Sequence, residues 1–463
     1  MSKTTADTKS LYPHIALIPS AGMGHLLPFL RIASTLLSRN CTVTLITAKP
    51  IVSAAESSHI SAFLSQHPQV KHVDFQTIQS HNPTADDPFY LQYESITRSA
   101  HLLYPLLSSS SPPFSAIFAD FFVASSITPM AAELGIPSYI ICTTSIKFFC
   151  LIAYLPVLVT DPAKLGNSST ELIIPGLTPF PVSSIPSPFK NPNHLFTRCL
   201  VLNAKEFSKA KGIIVNSVDF FEKETLEEIK NGRVLENSLP SFLPIGPLAS
   251  FEIKKDKGEY MSWLDNQPEE SVVYVSFGSR TAISRDQIRE VSKGLERSGH
   301  RFLWVVKSTK IDKEDKDELK DLLGGSFLER TMNKGMAVKG WVSQEEILAH
   351  PSIGAFVSHC GWNSVIEAAR QGVPMVAWPQ HGDQKVNAEI VEKAGLGIWE
   401  RNWGWADQAE LVCGEEIGEK IREVMEDEKL REKAKKVGEE ARKATKIGGK
   451  SEKVLKELLE LLQ

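Results

Sequence analysis

The sequence predicts an α/β fold with two domains, each built on a parallel sheet that helices cover on both faces. Short β-branched runs bounded by Gly and Pro alternate with segments of helical periodicity, first as a strand at 14–19, a helix at 26–37 and a strand at 42–47. The same alternation starts again in the second half of the chain. At roughly 100 to 200 residues per domain, 463 residues suit two large domains. Parallel strands joined by helices require a sheet that is buried on both faces.

Three more strands are predicted in the first half, at 116–120, 138–142 and 212–216. Beyond them, residues 243–258 (LPIGPLASFEIKKDKG) are rich in Pro, Gly and Lys and lack clear periodicity, which is typical of a link between domains. We therefore expect a first Rossmann-like domain over residues 1–245 and a linker over residues 246–258.

The second half begins with a predicted strand at 272–276, a helix at 285–298 and a strand at 302–306. Its clearest unit is a strand at 355–358, a helix at 362–370 with Gly372 as its stop signal, and a strand at 373–378. Apolar residues then recur at helical spacing: Ile417, Ile421, Val424, Met425, Val454, Leu455, Leu458, Leu459 and Leu462. We expect a second Rossmann-like domain over 259–445, and over 446–463 a helix that packs on the body and can cross back to the first domain.

The composition excludes several classes of function. Lys and Arg number 51 against 55 Asp and Glu, a net charge of −4, which is too balanced for a protein that binds nucleic acid or an anionic membrane. The six cysteines form no C-x-x-C pair, which argues against a disulfide framework, a redox dithiol and a structural zinc site. The longest apolar run, 148–159, is interrupted by Pro156 and is shorter than the roughly 20 residues that span a bilayer. We expect a cytoplasmic protein without membrane insertion.

In open α/β sheets, ligands bind beyond the carboxyl ends of the strands, so polar residues directly after strands are the candidates for a site. The first such cluster is residues 20–25 (SAGMGH), where two glycines allow a tight turn that brings backbone N–H groups near a ligand. Leu27 stands where a dinucleotide fingerprint G-x-G-x-x-G has its third glycine, which disfavours a nicotinamide-dependent oxidoreductase.

Two residues at this edge are candidates for acid–base chemistry. His25 stands at the end of the glycine loop, where a neutral imidazole can take a proton near neutral pH. The alternative is that His25 only begins the following helix and is hydrogen-bonded to the backbone. Asp120 ends a predicted strand and can orient that imidazole; the alternative is an aspartate that caps a turn. The spacing leaves both alternatives open.

A third cluster is HCGWNS, residues 359–364, at the start of a predicted helix. Free N–H groups and the helix dipole favour a phosphate there, and Asn363 and Ser364 add donors. Ser364 and Glu367 also match the S-x-x-E capping box, so a purely structural explanation exists for both. His359 and Cys360 are adjacent in a strand and point to opposite faces, which disfavours a thiol protease. Residues 315–317 (DKD) lie in a run of solvated charges, so we expect no metal site in that run.

Residues 341–384 (WVSQEEILAHPSIGAFVSHCGWNSVIEAARQGVPMVAWPQHGDQ) resemble the signature box of plant family-1 UDP-glycosyltransferases. The resemblance extends to the glycine loop, His25, Asp120 and the SFGS string at 276–279. It implies the GT-B fold, in which two Rossmann-like domains face each other across a cleft. It also implies that UDP-glucose is the donor substrate, that a small phenol is the acceptor, and that no cofactor or metal is required; we expect a monomer.

The resemblance assigns roles to residues. The donor would be held by Ser279, Trp341, Val342, Gln344, His359, Gly361, Trp362, Asn363, Ser364, Glu367, Asp383 and Gln384. Among these, Trp341 would stack on uracil and Glu367 would hold the ribose hydroxyls, while Trp362, Asp383 and Gln384 would meet the sugar. His25 would be the general base, supported by Asp120. The acceptor would lie among Phe89, Tyr93, Phe121, Phe148 and Phe196, with Phe122 and Phe149 as further candidates, although any of these rings can instead belong to the core.

A finer resemblance, in residues 19–26, 381–384 and the WGW string at 403–405, is to the plant C-glycosyltransferase branch. It implies transfer of glucose to an aromatic carbon of a flavonoid-type polyphenol. An O-glucosyltransferase of small phenols is the alternative, and a nucleotide-binding protein without turnover is a more distant one.

Overall fold

The computed structural model describes residues 12–79, 87–161, 164, 170–249, 258–309, 317–404 and 410–463. The strands are β1 (His14–Ile18), β2 (Thr42–Lys49), β3 (Lys71–Gln76), β4 (Ala116–Asp120), β5 (Ser138–Cys142), β6 (Glu171–Leu172), β7 (Phe180–Pro181), β8 (Gly212–Val215), β9 (Phe242–Pro244), β10 (Val272–Ser276), β11 (Arg301–Val305), β12 (Gly335–Val338), β13 (Ile353–Ser358), β14 (Met375–Ala377) and β15 (Gly397–Trp399). Asp315, Lys316, Trp405, the N-terminal segment and most of the predicted linker lie outside the described residues.

The helices are α1 (Met23–Leu37), α2 (Ala54–Gln66), α3 (Pro88–Ser99), α4 (Tyr104–Ser108), α5 (Ala124–Glu133), α6 (Ile146–Thr160), α7 (Leu195–Ala204), α8 (Lys223–Lys230), α9 (Glu259–Asp265), α10 (Arg285–Ser298), α11 (Leu319–Leu323), α12 (Gly325–Thr331), α13 (Gln344–Leu348), α14 (Trp362–Gln371), α15 (Gln384–Lys393), α16 (Gly414–Glu426), α17 (Glu428–Thr445) and α18 (Lys450–Leu461).

The strands form two large parallel sheets, as the alternating pattern predicts. The first has the order β3-β2-β1-β4-β5-β8-β9 and the second β12-β11-β10-β13-β14-β15. In each sheet the connections run in opposite directions from a central pair, β1 and β4 in the first and β10 and β13 in the second. Such reversal points are where open α/β sheets form ligand crevices. In each sheet, the crevice therefore lies at the end of the strands where the sequence has its polar clusters.

The central strands of each sheet form because their mostly apolar side chains are buried on both faces. Every residue of β1 and of β10 is buried, since helices cover both faces of each sheet. The predicted strands differ from the observed ones by at most one or two residues at each end. Gly372 ends α14 in the left-handed conformation with φ of 74°, which confirms its predicted role as helix stop.

The start of α1 corrects one prediction. The helix begins at Met23 rather than at residue 26, so His25 lies in its first turn and not in the preceding loop. Gly22 precedes the helix with φ of 99°, a conformation that glycine adopts without steric cost. The helix therefore begins three residues earlier than the apolar periodicity alone indicates.

The C-terminal helices pack as the apolar spacing predicts. Ile417, Ile421 and Val424 of α16 are buried in the second half of the molecule. Helix α18 instead joins the first half, since Leu455 and Leu458 belong to the same apolar cluster as Ile15 of β1. The chain thus returns to the first half at its end.

The apolar run at 148–159 belongs to α6, which continues through Pro156. Within the described part of the chain, no helix has the length and apolarity needed to cross a bilayer. All six cysteines are free, as their spacing predicts.

Candidate active site

A cavity of about 1080 Å³ lies between the two halves, beyond the carboxyl ends of β1, β4, β10 and β13. It brings together nearly all the site residues that the sequence predicts. On its first-half side are His25, Phe89, Tyr93, Phe121, Phe122, Phe148 and Phe196; on its second-half side are Ser279, Trp341, Val342, Gln344, His359, Gly361, Trp362, Asn363, Ser364, Glu367, Asp383 and Gln384. One cavity therefore contains both an aromatic and a polar half.

His25 and Asp120 form a hydrogen-bonded pair at the edge of this cavity. Nδ1 of His25 lies 2.9 Å from Oδ2 of Asp120 and 3.0 Å from the hydroxyl of Thr143. Asp120 is fully buried at the end of β4, and its Oδ1 accepts the backbone N–H of Phe122 at 2.9 Å, so it also caps the next turn. Because Nδ1 is engaged by the carboxylate, Nε2 is the ring nitrogen that can take a proton from a ligand.

The loop before His25 is fixed by a carboxylate that the sequence did not single out. Oε1 of Glu56, on α2, accepts the backbone N–H of Gly22 at 2.6 Å. Burial raises the pKa of Glu56, and the hydrogen bonds from Gly22 and Ser53 oppose that rise. In the sequence, the only sign of this role was that Glu56 is a charged residue within the half-apolar segment that forms α2.

Aromatic rings surround the imidazole of His25. The centroids of Phe122, Phe121 and Tyr93 lie 5.2, 5.6 and 6.0 Å from that of His25. Tyr93 stacks on Phe122, and its hydroxyl donates to the carbonyl of Ala21 at 3.0 Å. These contacts hold an apolar wall beside the imidazole of His25.

The candidate Phe149 is wrong as a pocket residue. It is completely buried and packs against Phe207, with ring centroids 4.5 Å apart, because it points from α6 into the core. Its neighbour Phe148 borders the cavity instead.

On the opposite side, the N-terminus of α14 offers donors to an anion. His359 is partly buried, and desolvation of its ring lowers its pKa to about 3, so the imidazole is neutral. Among the residues that the structure describes, Nδ1 of His359 and Oδ1 of Asn363 are buried without a hydrogen-bond partner. Unpaired polar atoms at a buried helix N-terminus are costly in isolation, which favours a bound polar ligand.

Cys360 gives this turn an unusual backbone. Its φ of 61° is in the left-handed region, which non-glycine residues seldom adopt, and such strain concentrates at functional sites. Its thiol is fully buried, and burial raises its pKa, which is opposite to what a nucleophilic cysteine needs.

Gln344, Ser364 and Glu367 form one hydrogen-bonded group. Nε2 of Gln344 donates to Oγ of Ser364 at 2.8 Å and to Oε2 of Glu367 at 2.7 Å. The capping-box explanation for Ser364 is wrong, because Gly361 is the N-cap of α14 and Ser364 lies inside the helix. Trp341, 44% exposed, borders the same region with one edge against the ring of His59.

Gln384 and Asp383, which are expected to meet a sugar, already accept hydrogen bonds from other groups of the protein. Oε1 of Gln384 accepts the backbone N–H groups of Gln380 at 2.7 Å and His381 at 2.9 Å. Oδ2 of Asp383 accepts from Asn387 at 2.9 Å and also from the hydroxyl of Thr144. Burial raises the pKa of Asp383.

The indole of Trp362 is directed into the protein core. The side chain is 3% exposed, and its ring packs beside Phe221. Its Nε1–H donates to the carbonyl of Asn216 at 3.1 Å. A sugar contact through this side chain is therefore excluded, although the residue borders the cavity at the helix N-terminus.

Val342 and Ser279 also border the cavity. Val342 is buried, and the carbonyl of Ser279 accepts from the ammonium of Lys307. Arg280, which the sequence did not single out, reaches Oδ2 of Asp87 at 2.6 Å and lies over the ring of Phe89. In the described ranges, no group of three His, Cys, Asp or Glu side chains is arranged to hold a metal ion.

The comparisons with known proteins agree with this geometry. The family model "UDP-glucoronosyl and UDP-glucosyl transferase" matches residues 195–438. UDP-glycosyltransferase 708C1 of Fagopyrum esculentum is 50% identical over 458 residues, which cover 98% of this chain and 96% of that protein. UDP-glycosyltransferase CGT of Oryza sativa subsp. indica is 47% identical over 466 residues, or 99% of this chain and 98% of that protein.

A solved structure, LpCGTa in complex with UDP, is similar at a TM-score of 0.84 and 43% identity, covering 97% of this chain and 99% of that one. The likeness spans both sheets and the cavity between them, and it confirms the predicted GT-B fold. The chain therefore belongs to the UDP-glucoronosyl and UDP-glucosyl transferase family, in the plant branch that includes the rice protein CGT.

Proposed function

We propose that the protein transfers glucose from UDP-glucose to an aromatic carbon of a flavonoid-type polyphenol, such as a 2-hydroxyflavanone or dihydrochalcone. His25 acts as the general base and Asp120 supports it. The single observation that carries this proposal is the 2.9 Å contact between His25 and Asp120 at the edge of one cavity that has an aromatic and a polar half.

The polar half suits a nucleoside diphosphate sugar. The exposed indole of Trp341 offers a face for a base, and Glu367 offers carboxylate oxygens for ribose hydroxyls. The unpaired Nδ1 of His359 and the N-terminus of α14 suit the diphosphate. UDP in the LpCGTa complex supports the same choice of nucleotide. The diphosphate leaves with its charge met by these donors, so we propose that the reaction needs no metal.

The aromatic half suits a flat phenol whose hydroxyl reaches Nε2 of His25. The hydroxyl gives its proton to Nε2, and the resulting negative charge spreads to the ortho carbon of a phloroglucinol-type ring. That carbon forms a bond to the anomeric carbon from the face opposite UDP, and the electrons of the broken C–O bond leave with the diphosphate. The ring carbon then loses its proton to solvent and the ring regains aromaticity, while the proton on Nε2 of His25 returns to the ring oxygen. The anomeric configuration is inverted.

Attack by oxygen instead of carbon uses the same base, so the orientation of the ring decides the product. The names of two relatives, rice CGT and LpCGTa, favour carbon attack. O-glucosylation remains the second candidate, because the His25 and Asp120 pair serves both outcomes equally. We propose that the enzyme acts as a monomer, since each half of the cavity comes from the same chain.

Incubation of the protein with UDP-glucose and a panel of phenols, followed by mass spectrometry before and after acid hydrolysis, tests this function. A C-glucoside resists acid and fragments across the sugar ring, whereas an O-glucoside loses the whole hexose. Acid-labile products from every acceptor assign the protein to O-glucosylation, and absence of UDP release with every acceptor contradicts the catalytic proposal itself.

A further inference from the structure

Helix α1 carries a buried arginine that the proposed reaction does not yet use. Arg31 lies on the helix that begins beside His25, and its side chain is only 4% exposed. Its neighbours on that helix, Leu30 and Ile32, are apolar and buried. A guanidinium in such surroundings requires anionic partners to be tolerated.

The partners come from the other half of the molecule. Nη2 of Arg31 lies 3.1 Å from Oε2 of Glu345, on α13, and the same nitrogen donates to Oε1 of Glu367, on α14. One nitrogen from the first half therefore bridges two carboxylates of the second. All three residues border the cavity.

The charges of this group depend on one another. Burial alone lowers the pKa of Arg31, but the carboxylates of Glu367 and Glu345 raise it overall, so the guanidinium is charged. Burial raises the pKa of Glu367, and Arg31 is the strongest of the groups that oppose the rise. Without Arg31, Glu367 would lose the only cation that donates to it among the described contacts, and Arg370, which interacts with Glu345, would be the remaining nearby charge; the pKa of Glu367 would then rise further.

The position of the Glu367 carboxylate is fixed from both sides. Oε1 accepts from Arg31, and Oε2 accepts from Nε2 of Gln344 at 2.7 Å. The oxygen of the Gln344 amide is in turn held by the hydroxyl of Tyr274 at 3.3 Å. Each carboxylate oxygen can accept two hydrogen bonds, so one position on each oxygen remains for a ligand hydroxyl.

We propose that Arg31 is a positioning residue for the nucleotide: it holds the Glu367 carboxylate charged and in place for the two ribose hydroxyls. The inference rests on the proposed function, in which Glu367 binds the ribose. It adds that the half of the molecule that binds the acceptor also determines how well the ribose of the donor is recognised.

The test compares UDP with 2′-deoxy-UDP, whose missing hydroxyl removes one of the two contacts. Dissociation constants are measured by calorimetry for the unmodified protein, Arg31→Met, Glu367→Gln and Arg39→Met. Arg39→Met is the matched control, because Arg39 is close to α1 in the chain and also bridges to the C-terminal part of the molecule, through Glu452 at 3.2 Å.

We expect the unmodified protein to prefer UDP by about tenfold or more, because a pocket built for a hydroxyl leaves polar groups unpaired without it. In Arg31→Met, the preference for UDP over 2′-deoxy-UDP should fall to within about twofold of the preference of Glu367→Gln. Arg39→Met should keep the preference of the unmodified protein. In steady-state assays the KM for UDP-glucose should rise about tenfold or more in Arg31→Met, with kcat changed by less than about threefold.

A preference in Arg31→Met equal to that of the unmodified protein overturns the inference. If Glu367→Gln also keeps the preference, the ribose assignment within the proposed function fails first. Should Arg31→Met not fold, Arg31→Lys decides, because a lysine keeps the charge but places a single donor on a flexible stem. An unchanged preference in Arg31→Lys overturns the inference, and a several-fold reduction supports it.

Discussion

The carboxylate of Asp120 is bonded on both oxygens, to Nδ1 of His25 and to the backbone N–H of Phe122, each at 2.9 Å. The second bond anchors the carboxylate to the turn that follows β4, so the first can hold the imidazole in one orientation. Asp120 is therefore both the turn-capping residue and the partner of His25, and the two alternatives left open by the sequence are both true.

Asp120→Asn should lower turnover strongly even though the fold is kept. An amide can still accept the N–H of Phe122, but it cannot stabilise an imidazolium and favours the wrong tautomer of His25. We expect a fall in kcat of about 10²- to 10⁴-fold, with UDP affinity unchanged within about twofold. Stopped assays of UDP release measure it, and a variant as active as the unmodified protein contradicts the role of Asp120.

His25→Ala should lower kcat by about 10²- to 10⁴-fold, the usual effect of losing a general base. The affinity for UDP should be retained, because His25 lies on the aromatic side of the cavity. His101→Ala, at an exposed histidine of the same half, serves as control. If His25→Ala is as fast as the unmodified protein with both the most and the least acidic phenols, His25 is not the general base.

Gln384→Ala should impair the use of UDP-glucose more than the binding of UDP, if its amide meets the sugar. Since Oε1 already accepts two backbone N–H groups, Gln384→Glu is a useful companion: it keeps that acceptor, but it replaces the amide donor with a second carboxylate oxygen and a negative charge. We expect the KM for UDP-glucose to rise about tenfold in both variants, with the Kd for UDP within about twofold. Equal weakening for both ligands in Gln384→Ala, and no effect in Gln384→Glu, identifies the residue as structural.

Activity should survive removal of divalent ions. In the proposed reaction the diphosphate would be met by a helix N-terminus and neutral donors, which would supply the stabilisation that a metal gives in other transferases. The measurement is UDP release after dialysis against a chelator, with and without added Mg²⁺ or Mn²⁺. A strict requirement for either ion is incompatible with the proposed chemistry.

Stability should fall as the pH rises towards neutrality because of Glu222. Burial raises the pKa of this carboxyl from 4.5 to about 7, although Lys147 and Ser217 donate to it. The folded state therefore keeps a proton that the unfolded state releases above about pH 4.5, so stability decreases between about pH 4.5 and 7 and then levels off. The change amounts to about 3 kcal/mol.

Urea denaturation at pH 5 and pH 8 measures this loss. Glu222→Gln should remove most of the difference, whereas Glu224→Gln, at an exposed position on α8, should not alter it. The same pH dependence in Glu222→Gln shows that another group is responsible.

The parts of the site that sequence could predict are those fixed by local pattern. His25 follows and Asp120 ends a buried strand of the first sheet, His359 follows one of the second, and the rule that ligands bind at strand ends is enough to place each at the ligand-binding edge of its own sheet. The direction of a side chain is not fixed in this way. Trp362 turns into the core because an apolar pocket beside Phe221 is available, and nothing in the order of residues encodes that pocket.

Contacts between the halves were beyond prediction for a related reason. Arg31 and Glu367 are 336 positions apart, and Lys147 meets Glu389 at 2.9 Å across the same cleft. Such pairs depend on how two separately folded sheets are placed against each other, which hydrophobic periodicity does not describe. A charge inside the apolar face of α1 was the only local sign that Arg31 needed a distant partner.

The return of α18 to the first sheet gives the molecule two covalent passages between its halves instead of one. A single connection permits both bending and torsion, whereas two connections that lie side by side, with Leu248 and Leu455 in one apolar cluster, restrain torsion and place the joint between the halves along one edge. Opening and closing around a ligand would then follow a nearly fixed arc, so that a nucleotide held by one half meets the His25 ring of the other in the same register at every turnover.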